Sequence, residues 1–370
     1  MTQNVPSRGS GQSAVGAPAL TDSMGSLAVR LAKALARRSG LIGGDVARAC
    51  RVFSGDSEGV PGVFVDVYGP GAVMMVYEGR VASWFDAEGA AQVVLDVLRP
   101  VGVRGVYLKP FPKDRPKLGG ALPACVTDAR PAAGESVGEY VIIQEGGQEQ
   151  SWNLEVRLYD GLSTGLFLDQ RANRAALAWA VAKRARGGKT PAVLNTFAYT
   201  CAFSVATAMA GGSTTSVDVS ARYLEWGKKN FAHNGLEASL HRFAKMDTFE
   251  FITYARRKGL GYDLIILDPP SFAAGSKKKG HRPFSSVSDY ARLVRESATI
   301  LNPGGAVFAS TNTQELCRPV FAGQPIRLER EIAKGLGLPA GREPRWVKLP
   351  PVTADFASER ERFAARMFTL

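Results

Sequence analysis

The sequence lacks the marks of metal, disulfide and nucleotide-phosphate chemistry. Four cysteines, Cys50, Cys125, Cys201 and Cys317, stand far apart among 370 residues and form no C-x-x-C pair, so neither a zinc site nor a disulfide framework is expected. A reducing cytoplasm is the simplest home. No apolar run approaches the ~20 residues of a membrane span. Residues 1–24 have no cationic start followed by an apolar core; rich in Ser, Gly, Thr and Pro, they read as a disordered tail. Gly188-Lys189-Thr190 looks like the end of a phosphate loop, but Lys183 takes the place of its first glycine and Pro191 would break the helix that must follow, so ATP is not supported. The turn over 195–202 contains no glycine, which removes the G-x-G-x-x-G pyrophosphate cradle and disfavours nicotinamide and flavin dinucleotides.

What the chain does have is length for two domains, since one core seldom grows past roughly 250–300 residues. It also carries a net charge of +12 and a pI near 9.6. With few long like-charge blocks, that excess is spread over a folded surface and favours a polyanionic partner such as nucleic acid. A helix is predicted over 26–38, with Leu27, Leu31, Ala34 and Leu35 on one face and Arg30, Lys33, Arg37 and Arg38 elsewhere, either a solvated helix or an RNA-facing arm. Residues 46–150 read as a small α+β domain, with strands near 49–53, 63–67, 72–77, 106–109 and 140–144 and a helix near 85–98. Together with the first helix it forms a unit over 25–150 that could contact RNA. Lys109, Lys113, Arg115 and Lys117 make a basic loop, phosphate-binding or merely solvated. A hairpin-like segment over 153–167 leads into Leu168-Asp169-Gln170-Arg171, where the Arg171 guanidinium could hold a carboxylate through two parallel bonds.

Residues 192–220 read as strand, tight turn, helix and second strand, one βαβ unit closed by Asp218. A carboxylate at that strand end is placed to accept hydrogen bonds from two ribose hydroxyls. A nucleoside without a pyrophosphate satisfies both the acidic strand end and the glycine-free turn, and S-adenosyl-L-methionine is such a molecule. The βα alternation continues through strands ending near Asp247, Asp268 and Asn312 to two terminal strands near 345–349 and 362–370. A mostly parallel, doubly wound α/β sheet over 151–370 is therefore expected, its active edge carrying Asn195, Asp218, Asp247, Asp268 and Asn312.

Asp268-Pro269-Pro270-Ser271-Phe272 closes the fourth strand of this series. Two prolines stiffen the chain and remove two donors, so the strand leaves the sheet with fixed geometry beside the reacting group. Here the residues resemble class I methyltransferases that modify bases of large-subunit ribosomal RNA. The likeness runs from about 27 to 370 and rests on the stretches 51–69, STGLFLDQR (163–171), NTFAYT (195–200), SVDVSARYLEWGKKNF (216–231) and DPPSF. The first is similar to the region preceding the catalytic domain of ribosomal cytosine-5 methyltransferases. The segment 220–226 with Asn230 and Asn234-Gly235-Leu236 looks like the guanine-N7 half of the bifunctional ribosomal enzymes. The resemblance implies a Rossmann-like class I fold with a small N-terminal α+β domain, S-adenosyl-L-methionine as cofactor and ribosomal RNA as partner, with no metal and no membrane. It further implies that Asp218 binds the ribose and that Asp247 with Met246 meets the adenine. Arg171 and the turn residues Asn195, Phe197, Tyr199 and Thr200 then surround the methionine portion, with Asp268, Pro269, Pro270, Phe272 and Asn312 at the reacting end. Cys201 departs from the glycine of many relatives, and no separate N-terminal PUA domain is expected.

Cytosine C5 must be activated by a thiolate adding at C6, and no cysteine stands in DPPSF or in Ser310-Thr311-Asn312-Thr313. Guanine N7 has an in-plane lone pair and needs chiefly positioning and desolvation. Guanine N7 by direct transfer is therefore favoured, with Ser271, where adenine-N6 enzymes carry an aromatic residue, ranking N6 lower. The alternatives are a cytosine-5 ribosomal enzyme, a small-molecule methyltransferase and a non-catalytic RNA-binding protein.

Overall fold

The computed structural model describes residues 23–42, 48–111, 123–147, 150–275, 282–319, 321, 323–339 and 341–370. Residues 1–22 of the expected tail, the basic residues Lys113, Arg115 and Lys117, and Lys277, Lys278, Lys279 and His281 lie outside them.

The described chain opens with α1 (Met24–Arg37), whose start is fixed by a reciprocal capping box: Ser26 N–H donates to Ser23 Oγ at 3.3 Å and Ser23 N–H to Ser26 Oγ at 3.1 Å. Leu27, Leu31 and Ala34 are buried, and Arg37 and Arg38 both reach Glu58 at 2.8 and 2.6 Å. The expected apolar face of the helix is thus buried as a packed layer. It covers one face of a five-stranded sheet of β1 (Ala49–Ser54), β2 (Val63–Tyr68), β3 (Gly71–Tyr77), β4 (Gly105–Phe111) and β5 (Ala133–Gly134), paired in that order. The one-turn α2 (Gly55–Glu58) follows β1, and α3 (Ala87–Leu98) is the crossover that lets β3 and β4 run parallel.

Alternation along the strands sorts the faces of this sheet. Val63, Val65, Val67, Ala72, Met74 and Val76 pack in the core shared with α1 and α3. Phe64, Asp66, Tyr68, Val73, Met75 and Tyr77 point the other way and line a cavity. Lys109, expected in a basic loop, is instead a fully buried β4 residue whose Nζ donates to the Ser163 carbonyl at 2.9 Å. Burial pushes its pKa down to about 7. The antiparallel hairpin is β6 (Val141–Gly146) with β7 (Ser151–Val156), so the partner of 151–156 lies upstream rather than in the expected 153–167 segment.

The remaining elements are α4 (Arg171–Ala185), β8 (Ala192–Thr196), α5 (Ala202–Met209), β9 (Ser213–Asp218), α6 (Ala221–Ala232), β10 (Arg242–Lys245), α7 (Thr248–Arg257) and β11 (Tyr262–Leu267). They continue with β12 (Phe272–Ala273), β13 (Phe284–Ser285), α8 (Ser286–Ala298), β14 (Leu301–Thr311), α9 (Gln314–Cys317), α10 (Arg327–Gly335), β15 (Arg345–Val347) and β16 (Ala364–Thr369). A seven-stranded sheet forms in the order β10-β9-β8-β11-β14-β16-β15; the first five strands are parallel and β16 is antiparallel to both its neighbours. In β11, Leu264 and Ile266 join a core with Leu177, Val181 and Val205, whereas Ile265 and Leu267 join one with Phe251, Tyr290 and Leu293. Helices therefore cover both faces, as a run of apolar parallel strands requires. Chain direction across the sheet reverses between β8 and β11, which opens a crevice at the strand carboxyl ends.

Candidate active site

That crevice holds a cavity of about 440 Å³. Among the described residues, four carboxylates reach its lining, Asp169, Asp218, Asp247 and Asp268, with one cationic side chain, Arg282. Such a donor set repels phosphates and suits a ligand that is cationic and hydroxylated. Phe197, Tyr199, Tyr223, Phe249 and Pro269 supply flat apolar walls.

Asp218 closes β9 and is fixed by backbone donors: Tyr199 N–H to Oδ2 at 2.9 Å and Ser220 N–H to Oδ1 at 2.8 Å. Burial raises its pKa above the ordinary aspartate value, against the lowering effect of those bonds. Asp247 ends the segment after β10 and caps α7, accepting from Phe249 N–H at 2.8 Å. Asp268, at the end of β11, accepts from Ser310 Oγ at 2.6 Å and Gln170 Nε2 at 3.3 Å, and burial raises its pKa as well. The two prolines after it project the chain out of the sheet, and the turn is pinned by Ser286 Oγ to the Pro270 carbonyl at 2.9 Å and Ser271 Oγ to Asn312 Oδ1 at 3.0 Å. Pro269, Pro270 and Asn312 line the cavity.

The glycine-free turn between β8 and α5 is tighter than its composition suggests. Phe197, Tyr199 and Cys201 all take positive φ, 53°, 49° and 63°. Left-handed non-glycine residues cost roughly 1–3 kcal/mol each and persist only where their surroundings over-determine them. Here Ala198 N–H donates to Val217 O at 2.9 Å, Thr200 Oγ1 to Gly165 O at 2.6 Å and Asn230 Nδ2 to Thr200 O at 2.8 Å. Phe197 and Tyr199 are thereby presented to the cavity. Asn195 and Thr200 line a small adjoining cavity of about 60 Å³ that shares Phe167, Gln170, Phe197, Tyr199 and Asp268 with the first and includes Ala202 and Phe203 of the first turn of α5, a helix without a side-chain cap. The Asn195 amide is committed to Ser204 Oγ at 2.9 Å.

Three expected site residues stand elsewhere. Arg171 does not line the cavity: its guanidinium bonds the Ala49 carbonyl and reaches Asp355 at 3.4 Å, so it clasps the two sheets together. Phe272 sits in β12 with 63% of its surface exposed, between Ser271 and Ala273, which do line the cavity. Met246 gives its backbone N–H to the Asp218 carbonyl at 3.1 Å while its side chain packs against the core. Conversely, Asp169 passes unnoticed in the sequence. Burial and the nearby Asp268 push its pKa up to about 7, and Arg174 and Arg51 lower it. Its signal is a carboxylate in the segment Leu168–Gln170, immediately before α4.

Of the residues that carry the guanine-N7 likeness, Ser220 and Tyr223 line the cavity, whereas Trp226, Asn230 and Asn234 hold the scaffold. Trp226 Nε1 donates to the Glu155 carbonyl at 3.2 Å, Asn230 Oδ1 accepts from Glu155 N–H at 2.8 Å, and Asn234 bonds both the N–H and the carbonyl of Asn153 at 2.7 Å. Together they bind α6 to the hairpin. No thiol reaches the cavity. Burial raises Cys201 to about 12 and Cys317 to about 11, far from a thiolate at neutral pH. Among the described residues no cluster of three or more His, Cys, Asp or Glu could hold a metal ion, and no helix is long and apolar enough to cross a membrane.

Comparison with known proteins places names beside this geometry. A family model described as S-adenosylmethionine-dependent methyltransferase matches residues 75–324. The Bacillus subtilis protein YwbD, named a candidate ribosomal RNA large subunit methyltransferase, is 37% identical over 296 residues, covering 80% of this chain and 68% of its own. A Saccharophagus degradans protein named ribosomal RNA large subunit methyltransferase K/L is 39% identical over 169 residues, 45% of this chain but only 21% of its own length. Among solved structures, SMU.776, a candidate methyltransferase complexed with SAH, superposes with a TM-score of 0.74 at 28% identity over 95% of this chain and 83% of that one.

Proposed function

From the premise that this chain belongs to the S-adenosylmethionine-dependent methyltransferase family, we propose that it methylates a base of large-subunit ribosomal RNA, with guanine N7 as the acceptor, by direct transfer. The observation that carries the choice of atom is the chemistry of the cavity lining: carboxylates and flat rings, with no thiol. The ribosomal RNA substrate is supported by the names of the relatives and by the net charge of +12.

The described residues fit S-adenosylmethionine, because four carboxylates in the lining suit a sulfonium, an ammonium and ribose hydroxyls. When bound, this cofactor supplies a methyl group on a positively charged sulfur. Asp218 would accept from the ribose hydroxyls and Asp247 with Phe249 would border the adenine. The uncapped N–H groups of Ala202 and Phe203, rather than Arg171, would receive the methionine carboxylate. Asp268, Pro269 and Pro270 would close the reacting end of the cofactor cavity. A ring nitrogen with its own lone pair needs no base to deprotonate it and no nucleophile to activate it. Positioning and exclusion of water then carry the rate.

The test is transfer of labelled methyl to large-subunit ribosomal RNA from a strain lacking the gene. Methylation of RNA and none of free nucleosides supports the reading. Labelling of free nucleosides or metabolites alone supports a small-molecule methyltransferase, and cofactor binding without transfer to any of these supports a non-catalytic RNA-binding protein.

A further inference from the structure

A second cavity, of about 510 Å³, lies between the small five-stranded sheet and the methyltransferase sheet. It meets the first at Phe167, Asp169, Tyr199 and Asn312, which line both. One wall is the outward face of β1 to β4, and the other comes from the segment Ala354–Arg362 that precedes β16. Its surfaces are flat. Tyr77 and Phe111 stack with ring centroids 4.6 Å apart and planes 11° from parallel. The Arg51 guanidinium lies over the rings of Phe64 at 5.1 Å and Phe356 at 4.6 Å.

Most polar groups of the walls are already committed. Arg51 pairs with Asp66 at 2.8 Å and with Glu359 at 3.0 Å, Thr164 donates to the Tyr68 hydroxyl at 3.1 Å, and Arg362 bonds Asp56. At the neck between the cavities two groups are free. Among the described residues, the Asp169 carboxyl meets no hydrogen-bond donor but its own backbone N–H, and the Asn312 amide nitrogen has no acceptor.

We propose that this inter-sheet cavity receives the target base turned out of its RNA, stacked against Tyr77 and Phe111 and hydrogen-bonded at the neck by Asp169 and Asn312. The proposal rests on the RNA-methyltransferase reading and adds to it a site on the small sheet. A planar ring can lie against the outer face of this stacked pair, because every base offers a π face. The ionised Asp169 carboxylate as acceptor and the Asn312 amide as donor, both at the neck, match the adjacent N–H and carbonyl on the edge of guanine. N7 is the next acceptor along the base beyond that carbonyl, and a base held by this edge at the neck can turn N7 towards the first cavity. The phosphates stay outside, in the field of a chain with a net charge of +12.

The test compares wild type with Tyr77→Ala and Phe111→Leu, neither of which lines the first cavity. Calorimetric titration with S-adenosylmethionine is expected to give an unchanged Kd, whereas kcat/KM for methyl transfer to ribosomal RNA falls about tenfold or more, the scale of one lost stacking partner. Tyr77→Phe, which keeps the ring, is expected to retain wild-type transfer. Phe111→Leu keeps the apolar bulk and carries the comparison if Tyr77→Ala does not fold. If wild type methylates the RNA and the folded variants do so equally well, the cavity proposal alone is wrong. If wild type methylates no ribosomal RNA, the underlying reading fails and the base pocket fails with it.

Discussion

At the scale of single residues, the acidic strand end and the clasp arginine separate binding from architecture. Asp218→Ala is expected to weaken S-adenosylmethionine by on the order of 1.5–3 kcal/mol, the worth of charge-assisted hydrogen bonds, read by calorimetry on the folded protein. Arg171→Ala is expected to leave that affinity unchanged and to cost on the order of 3 kcal/mol of stability, since it strips one partner from the fully buried Asp355. Asp169 gives a pH signature. Its pKa is raised to about 7 in the folded protein, so between about 4 and 7 the folded state keeps a proton that the unfolded state has released. Stability from this group is therefore complete at low pH and lost as pH rises through 7. Asp169→Asn is expected to remove that loss, on the order of 1–4 kcal/mol after allowing for its partial exposure. Urea denaturation at pH 5 and pH 8.5, where mutant and wild type change in parallel, would contradict it. The strand-end positions of Asp218, Asp247 and Asp268 were legible in the sequence, because Asp218 closes β9, Asp268 follows the apolar β11 directly and Asp247 stands between β10 and α7. Arg171 misled because an arginine beside a site and an arginine binding a neighbouring sheet look the same until Ala49 and Asp355, distant in the chain, are brought to it.

Among the elements, the strained turn between β8 and α5 depends on α6. A Cβ on Gly227 would stand 2.4 Å from the Cys201 Sγ and 2.9 Å from its Cβ. Gly227→Ala is therefore expected to destabilise the protein by ~1–3 kcal/mol, the usual cost of overpacking, with part of that recovered when Cys201→Ala is added. Equal loss in the single and double mutants, measured by thermal denaturation, would place the strain elsewhere. The order and type of most elements follow from apolar periodicity and turn residues, which are local signals. The hairpin was misplaced for the opposite reason. The residues that hold β7, Trp226 and Asn230 on α6 and Asn234 just after it, lie far along the chain, and their pattern reads equally well as part of a site.

Across the whole molecule, two sheets enclose two cavities that meet at one neck, and the contacts joining the sheets, Arg51 to Glu359 and Arg171 to Asp355, span some three hundred and nearly two hundred residues of sequence. No periodicity could have shown the second cavity, although the alternation that turns Phe64, Asp66, Met75 and Tyr77 to one face was present in the sequence throughout. Because neither Cys201 nor Cys317 reaches the cavity and burial keeps both thiols protonated, Cys201→Ala and Cys317→Ala are each expected to retain methyl transfer. Loss of all turnover in either folded, cofactor-binding variant would argue for a covalent path. The most direct test of guanine N7 is chemical: ribosomal RNA treated with the protein and S-adenosylmethionine is reduced with borohydride and cleaved with aniline, which breaks the chain at N7-methylguanine. A new cleavage at a guanine, dependent on the protein, is the expected result. Methyl incorporation without cleavage, accompanied by a denaturation-resistant adduct with 5-fluorocytosine RNA, would contradict it and assign the enzyme to cytosine C5.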